Sequence, residues 1–301
     1  MAGGEKILVT GATGRLALPV VRALAGGDDE VWAAARFTDP ELRAVLEGAG
    51  VRCVVKDLAT DGFDDLPDDF TRVLHAGAVV FTGGSEADMA RTFETNTQAT
   101  GRLMYHCRGA RTFLHCSTGG VYQYQARPVT EADPFGVMIP AYSLSKIAAE
   151  AVVQFIARQW DVPTVILRIG MVWGPRGGGP AIRVERMLRG DDVLVSPVTP
   201  NHSSLLWEDD AVRFLVAALQ LGAVPPLVLN LGGDEAVTTE EFCTYAGELL
   251  GIEPRFRVTD ETYAGSFLDP TRRRAVLGDC EVDWREGMRR VLTAKFGWSP
   301  S

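Results

Sequence analysis

Apolar positions over the first 175 residues keep two different rhythms. Short runs rich in valine, alanine and leucine fill Lys6–Thr10, Glu30–Ala35, Val51–Val55, Arg72–His75, Thr112–Cys116 and Thr164–Arg168; runs this short predict strands. Between them, Leu16–Ala25, Pro40–Gly48, Ala87–Cys107 and Tyr142–Gln159 carry apolar residues at three- and four-residue spacing, the period of a helix with one buried stripe. Strand and helix alternate throughout. That order predicts βαβ units and an α/β fold on a doubly wound parallel sheet.

The rhythm changes after Gly174-Pro175. Gly177-Gly178-Gly179-Pro180 opens a stretch of shorter elements broken by Pro197, Pro200, Pro225 and Pro226, residues that interrupt regular structure. A strand-like run, Leu227–Leu231, ends in Gly232-Gly233 and precedes a helix start at Thr238 or Thr239 followed by glutamates, the pattern of a side-chain cap. The expected organisation is a sheet domain over residues 1–175, with return segments at about 205–232, and a smaller C-terminal lobe, mainly 176–301.

Composition narrows the partners. The 46% hydrophobic and 23% charged content, with a mean hydropathy of +0.04, is that of a globular chain. A net charge of −9 repels nucleic-acid phosphates and anionic lipid. Neither nucleic acid nor a membrane is expected as a partner, and any anion must be held by a local cluster of donors. The first apolar run begins too close to Met1 for a signal peptide, and no apolar stretch reaches the ~20 residues of a membrane helix; a cytoplasmic location is expected. The five cysteines, odd in number and without a C-x-x-C pair, predict neither a disulfide framework nor a zinc site. No metal is expected. Lysine is scarce, four of the thirty basic residues, so a well-placed lysine is informative.

Candidate chemistry begins directly after the first run, where Thr10-Gly11-Ala12-Thr13-Gly14-Arg15-Leu16-Ala17 leads into a helix. Gly11 and Gly14 permit a tight turn and close backbone approach, so N–H groups at the helix start can hold a pyrophosphate against the positive end of the dipole. Ala17 stands where a third glycine is often found and still allows close helix–strand packing. At the end of the second run an acid usually binds the adenosine ribose 2′-hydroxyl, but Arg36 stands there. Arg36, with Arg15 as a second guanidinium, suits a 2′-phosphate, and NADP(H) is expected over NAD(H). Asp57-Leu58, after the third run, is placed for adenine contact.

Tyr142-Ser143-Leu144-Ser145-Lys146 sets a phenol and an ammonium four residues apart, on one face of a helix. A tyrosine with a pKa of ~10 is a poor base near neutrality, but a neighbouring positive charge favours its anion; Lys146 can supply that charge. Cys116-Ser117-Thr118-Gly119-Gly120-Val121-Tyr122 follows the fifth run, at the carboxyl edge of a parallel sheet, where ligands bind. Thr118, with Ser117 beside it, is the hydroxyl expected to bond the reacting oxygen.

Together these residues resemble the extended short-chain dehydrogenase/reductases, the NAD(P)-dependent epimerase/dehydratase family. The likeness runs from Thr10-Gly11-Ala12-Thr13-Gly14 through Asp57-Leu58, His75-Ala76-Gly77-Ala78, Asn96, Ser117-Thr118 and Tyr142-x-x-x-Lys146 to Leu167-Arg168 and Gly174-Pro175. It continues weakly through Glu208-Asp209 and Asn230-Leu231-Gly232. The resemblance implies a Rossmann-type sheet with a smaller C-terminal substrate lobe, Tyr142 as acid or base, Lys146 on the nicotinamide ribose, and Thr118 orienting substrate. It places Gly11, Thr13, Gly14, Arg15, Leu16, Ala76, Gly77, Ala78, Asn96, Gly170 and Met171 beside the dinucleotide, leaves His75 a structural role, and implies a homodimer.

Two departures bear on the substrate. Met171 stands where family members acting on nucleotide sugars often have an asparagine, and His202 stands near a family arginine; both groups contact the substrate diphosphate. Met171 cannot donate to a phosphate, and a neutral His202 is a weaker partner than arginine, which leaves Arg183, Arg186 or Arg189 as substitutes. The expected function is therefore NADP(H)-dependent hydride transfer on a small ketone, aldehyde or secondary alcohol without a nucleotide handle. The alternatives are a nucleotide-sugar epimerase or dehydratase with tightly bound NAD(P), and a non-catalytic dinucleotide-binding module.

Overall fold

The computed structural model describes residues 4–80 and 83–299. In chain order the first elements are β1 (Lys6–Thr10), α1 (Ala17–Leu24), β2 (Glu30–Ala35), α2 (Pro40–Gly48), β3 (Arg52–Val55), β4 (Arg72–His75), α3 (Glu86–Phe93), α4 (Ala99–His106), β5 (Thr112–Thr118) and α5 (Pro140–Gln159). Then come β6 (Thr164–Ile169), β7 (Met171–Trp173), α6 (Gly179–Leu188), β8 (Val193–Val195), β9 (His202–Trp207), α7 (Glu208–Ala218) and β10 (Leu227–Leu231). The chain closes with β11 (Ala236–Thr238), α8 (Thr239–Leu250), β12 (Phe256–Val258), α9 (Thr271–Leu277) and α10 (Trp284–Phe296). The strands and helices expected over the first 175 residues are present, with ends shifted by a residue or two.

Seven strands form one sheet in the order β10-β6-β5-β4-β1-β2-β3. β1 pairs in parallel with β2 and β4, β2 with β3, and β4 with β5. This is the Rossmann-type α/β architecture. Strand order reverses between β1 and β4, and in an open parallel sheet the crevice at the carboxyl ends of such strands receives ligands. Those ends are Thr10, His75 and, one strand further, Thr118.

The helix expected over Ala87–Cys107 is interrupted. A π-helical turn, Glu94–Gln98, separates α3 from α4 and buries Thr95, Asn96 and Thr97 together, three successive positions that no regular 3.6-residue stripe would turn inward. Because all three are polar, the apolar pattern gave no sign of it. At the other end of the chain, Thr238 caps α8 reciprocally with Glu241, as its cap pattern implies.

The chain divides into two units. The first comprises the chain up to Thr118, Pro140–Arg168 and Val212–Leu229; the second comprises Gly119–Ile139, Ile169–Ala211 and the chain from Asn230. The expected return segments at about 205–232 overlap Val212–Leu229, but residues 169–175 and the segment 119–139, expected in the sheet domain, belong with the second unit. The pairings of 119–139 are long-range bridges, Tyr122 with Phe135 and Val129 with Leu268, and these leave no local periodicity to read. The first unit's core joins Leu8, Val73, Phe113 and Ile166 of the sheet to Leu103 and Met104 of α4 and Val153 and Ile156 of α5. The second unit's core gathers Val184, Phe242 and Met288 around Trp173 and Trp207, whose rings meet edge to face with centroids 5.5 Å apart.

Candidate active site

The glycine turn after β1 is shaped by close approach of backbone to backbone. Gly11 has φ +66°, and a Cβ there would stand 2.6 Å from the Gly77 Cα, so no side chain is tolerated. Gly77 is less confined: a Cβ there would meet the tip of the Leu58 side chain at 2.4 Å, which can move, and Gly11 N at 3.3 Å. Thr10, Gly11, Leu58 and Gly77 thus fit together at the switch point. Beneath them His75 is fully buried and held from both sides, by Thr10 Oγ1 at 2.7 Å and Thr100 Oγ1 at 2.8 Å. Thr100 spends its only hydroxyl proton on the Asn96 carbonyl, so His75 Nε2–H donates to Thr100 and Nδ1 accepts from Thr10. Burial pulls His75 down to about 3. It stays neutral and structural.

Asn96 uses its whole amide inside the first unit. Its Oδ1 accepts from Val79 N at 2.7 Å, and its Nδ2 donates to Val79 O and to Ser145 Oγ, each at 2.9 Å. The π-turn therefore ties the stretch after Gly77 and Ala78 to α5. Thr97 adds a bond to the Ser145 carbonyl at 2.9 Å.

α5 presents Tyr142, Lys146 and Glu150 at four-residue intervals, one above another on a helix face. All three meet β5 or its neighbour. Thr118 hydrogen-bonds the Tyr142 side chain, yet burial outweighs that bond and pushes the phenol up to about 12. Lys146 Nζ lies 3.2 Å from His115 Nε2. Burial brings Lys146 down to about 8, with Cys116 and Glu150 acting in the opposite sense. The expected lowering of Tyr142 by Lys146 is thus not what the structure shows: burial dominates the phenol, and the ammonium is engaged with a histidine. Ser117 bonds Glu150, and Arg168 forks the same carboxylate, with Nη2 at 2.8 Å and Nε at 3.1 Å.

Several of these residues escaped the sequence reading. His115 sits between the apolar pair Phe113-Leu114 and Cys116, and that polar position inside the run was the available signal. Glu150 repeats the four-residue spacing once more beyond Lys146. Arg91 is a further addition: it pairs with Asp57 at 2.7 Å, and that hydrogen bond holds the Asp57 carboxyl below its usual range, with Arg36 acting in the same direction. Asp57 also accepts from Ala59 N at 3.0 Å. Arg36 is exposed at the end of β2, and Arg15 is exposed in the glycine turn.

Other candidates lie in the second unit. Gly170 N donates to the Leu231 carbonyl at 2.8 Å, and Met171 packs against the tryptophan core. The arginines offered as substitutes for a diphosphate contact are engaged locally: Arg183 donates to Gly179 O at 3.2 Å, Arg186 to Asp192 O at 2.8 Å, and Arg189 to Asp191 at 3.1 Å. The second unit also holds a cleft of about 380 Å³ lined by Tyr122, Gln123, Tyr124, Gly136 to Met138, Ser196 to Val198, Asp260 and Thr262 to Ala264. Tyr122 and Tyr124 are fixed by their hydroxyls, on Asn230 at 2.6 Å and Pro200 O at 3.0 Å. Among these lining residues Asp260 is the one that carries a full charge.

Residues 7–232 match the family model described as the NAD dependent epimerase/dehydratase family. The chain is 26% identical to a dTDP-4-dehydro-6-deoxy-D-allose reductase of a Streptomyces species, over 96% of this chain and 95% of that protein. It is 29% identical to a 3-diazoavenalumate denitrifying reductase, also of a Streptomyces species, over 83% of each. Its fold is that of the UDP-glucuronic acid 4-epimerase of Bacillus cereus, a structure solved with UDP-glucuronic acid and NAD: TM-score 0.83, 20% identity, covering 98% of this chain and 100% of the other.

Proposed function

Because the chain belongs to the NAD-dependent epimerase/dehydratase family and is a nicotinamide-dependent enzyme of that kind, we propose that it is an NADP(H)-dependent oxidoreductase acting on a ketone, an aldehyde or the corresponding alcohol that bears no diphosphate. The cleft of the second unit carries this reading: three tyrosines, Met138, Pro197 and two valines line it, no lysine or arginine does, and its formal charge is the Asp260 carboxylate. A diphosphate placed there would face an anion and no cationic fork. In sequence, Tyr122 follows Thr118 by four residues and Met138 precedes Tyr142 by four. A relative named as a reductase of 3-diazoavenalumate is in keeping with a substrate without a nucleotide.

The first unit's residues fit a dinucleotide, since a Cβ at Gly11 would fill the close approach against Gly77. In this reading the turn from Gly11 through Thr13 and Gly14 to Leu16 holds the pyrophosphate, and Arg36 with Arg15 takes the 2′-phosphate. Asp57 and Leu58 meet the adenine, Ala76, Gly77, Ala78 and Asn96 border the cofactor, and Lys146 serves the nicotinamide ribose. When bound, the nicotinamide supplies or accepts the hydride. The chain's own task is the proton. Thr118 orients the substrate oxygen, and Tyr142, a protonated phenol at neutral pH that burial pushes up to about 12, gives its proton to that oxygen as a carbonyl becomes an alcohol. A phenol so held suits reduction.

A second reading, a nucleotide-sugar epimerase or reductase, is supported by the nearly full-length match to a dTDP-sugar reductase. Incubation with NADPH and uncharged alkyl and aryl ketones should oxidise the cofactor stoichiometrically. Conversion of a UDP-, GDP- or TDP-sugar without added reductant, or oxidation of NADPH by a nucleotide-bound keto-sugar and not by the free ketones, would establish the second reading instead. For assembly we propose a homodimer formed through the exposed aromatic face of α4 and α5, where Tyr105, Phe155 and Trp160 lie.

A further inference from the structure

Side-chain contacts join β5 to α5: Lys146 Nζ lies 3.2 Å from His115 Nε2, and Ser117 bonds Glu150 at the following turn of the helix. Thr118 meets Tyr142 one turn earlier.

His115 is the unexpected member of this set. It is fully buried, in a strand where Phe113, Leu114 and Cys116 are buried too, and a leucine or phenylalanine there would pack without desolvating an imidazole. Its Nδ1 is buried with no hydrogen-bond partner, which costs stability. Something on the other nitrogen offsets that cost. Burial keeps the ring neutral, and Lys146 and His75, whose ring centroid lies 5.6 Å away, act in the same direction. A neutral imidazole beside an ammonium must accept at Nε2 and carry its proton on Nδ1, as the orphaned atom indicates.

We propose that His115 is a positioning residue for Lys146: its Nε2 accepts a hydrogen bond from the ammonium, keeping Lys146 charged and in register with Tyr142 and Thr118. The remaining titratable groups that act on Lys146 are Cys116 from β5 and Glu150 from its own helix, both favouring the charged form. His75, from β4, bears on it through His115. The proposal rests on the function proposed above only for its catalytic consequence, since the state of Lys146 can be read without substrate.

With four lysines in the chain, ¹⁵N-lysine labelling gives few side-chain signals, and loss of one in Lys146→Met assigns the residue of interest. Its titration is then followed by NMR in the unmodified protein and in His115→Phe, His115→Gln and His115→Asn. Losing the acceptor should lower the Lys146 pKa by about one unit, about a tenfold fall in the ratio of charged to neutral form. NADPH binding near pH 8 should weaken about fivefold, as the charged fraction falls from about a half to about a tenth, while binding near pH 6 stays nearly unchanged. Glutamine, whose amide oxygen reaches the Nε2 position, should preserve both values, and asparagine, which reaches only the Nδ1 position, should not. An unmoved Lys146 titration in folded His115→Phe, or equal titrations in the glutamine and asparagine variants, would overturn the proposal. If NADPH fails to bind any form, the cofactor reading falls and the NMR comparison still decides the role of His115.

Discussion

In the proposed reduction Tyr142 gives the proton; its side chain hydrogen-bonds Thr118, and burial pushes the phenol up to about 12. Tyr142→Phe deletes the transferable proton and leaves the helix intact, so turnover should fall by at least ~10², with NADPH affinity little changed. Steady-state kinetics paired with fluorescence titration checks both halves. Lys146 is charged below about 8, so the rate in the unmodified protein should hold below that pH and fall as pH rises through it. At the far end of the site, Arg36→Asp removes a guanidinium and adds an acid suited to a ribose hydroxyl. The proposed preference for NADPH over NADH should shrink by roughly ten- to a hundredfold, the worth of one charge-assisted bond, and titration of both cofactors measures it. Gly11, Thr118, Tyr142 and Lys146 could be singled out from sequence because each is bound to a fixed spacing or to a strand end. The contacts of His115 and Arg168 could not be read, because their partners are 31 and 18 residues away and no local pattern links them.

Among the elements, β5, α5 and β6 are fastened by the pair of Glu150 and Arg168, whose side chains are 1% and 5% exposed. Burying two charges is expensive, and their attraction repays it only while both remain. Arg168→Met strands a buried carboxylate beside Ser117, and urea denaturation should show a loss of about 3 to 5 kcal/mol. Removing both charges in Arg168→Met with Glu150→Leu should recover most of that loss. Equal destabilisation by the single and the double change would mean that packing, not charge, sets the cost. The alternation of the first unit was legible because its strands and helices bury themselves with regular periods. The π-turn at Glu94–Gln98 and the segment 119–139 were not, since one is an irregularity inside a helix and the other is ordered by bridges to distant residues.

At the scale of the whole molecule, solubility and assembly depend on what the folded chain leaves uncovered. A charge of −9 keeps copies apart in general, so association needs a local patch strong enough to overcome it. The aromatic face of α4 and α5 is such a patch. Phe155 is 61% exposed, Tyr105 46% and Trp160 41%, and Trp160 meets the other two edge to face with centroids 5.9 and 5.2 Å away. Large aromatics that contact one another yet face solvent mark an interaction surface more often than a tolerated exposure, and tryptophan and tyrosine are frequent anchors of binding energy. A patch on adjacent helices of one unit can meet its own copy across a two-fold axis, the commonest closed symmetry. Light scattering coupled to gel filtration should therefore give about twice the 32.6 kDa chain mass. Phe155→Asp combined with Trp160→Lys removes two anchors and desolvates two charges on association, a change of several kcal/mol at the interface centre. That variant should elute as a monomer at micromolar concentration with its far-UV circular dichroism unchanged. A monomeric unmodified protein, or a dimer unaffected by both substitutions, would locate no self-association on this face.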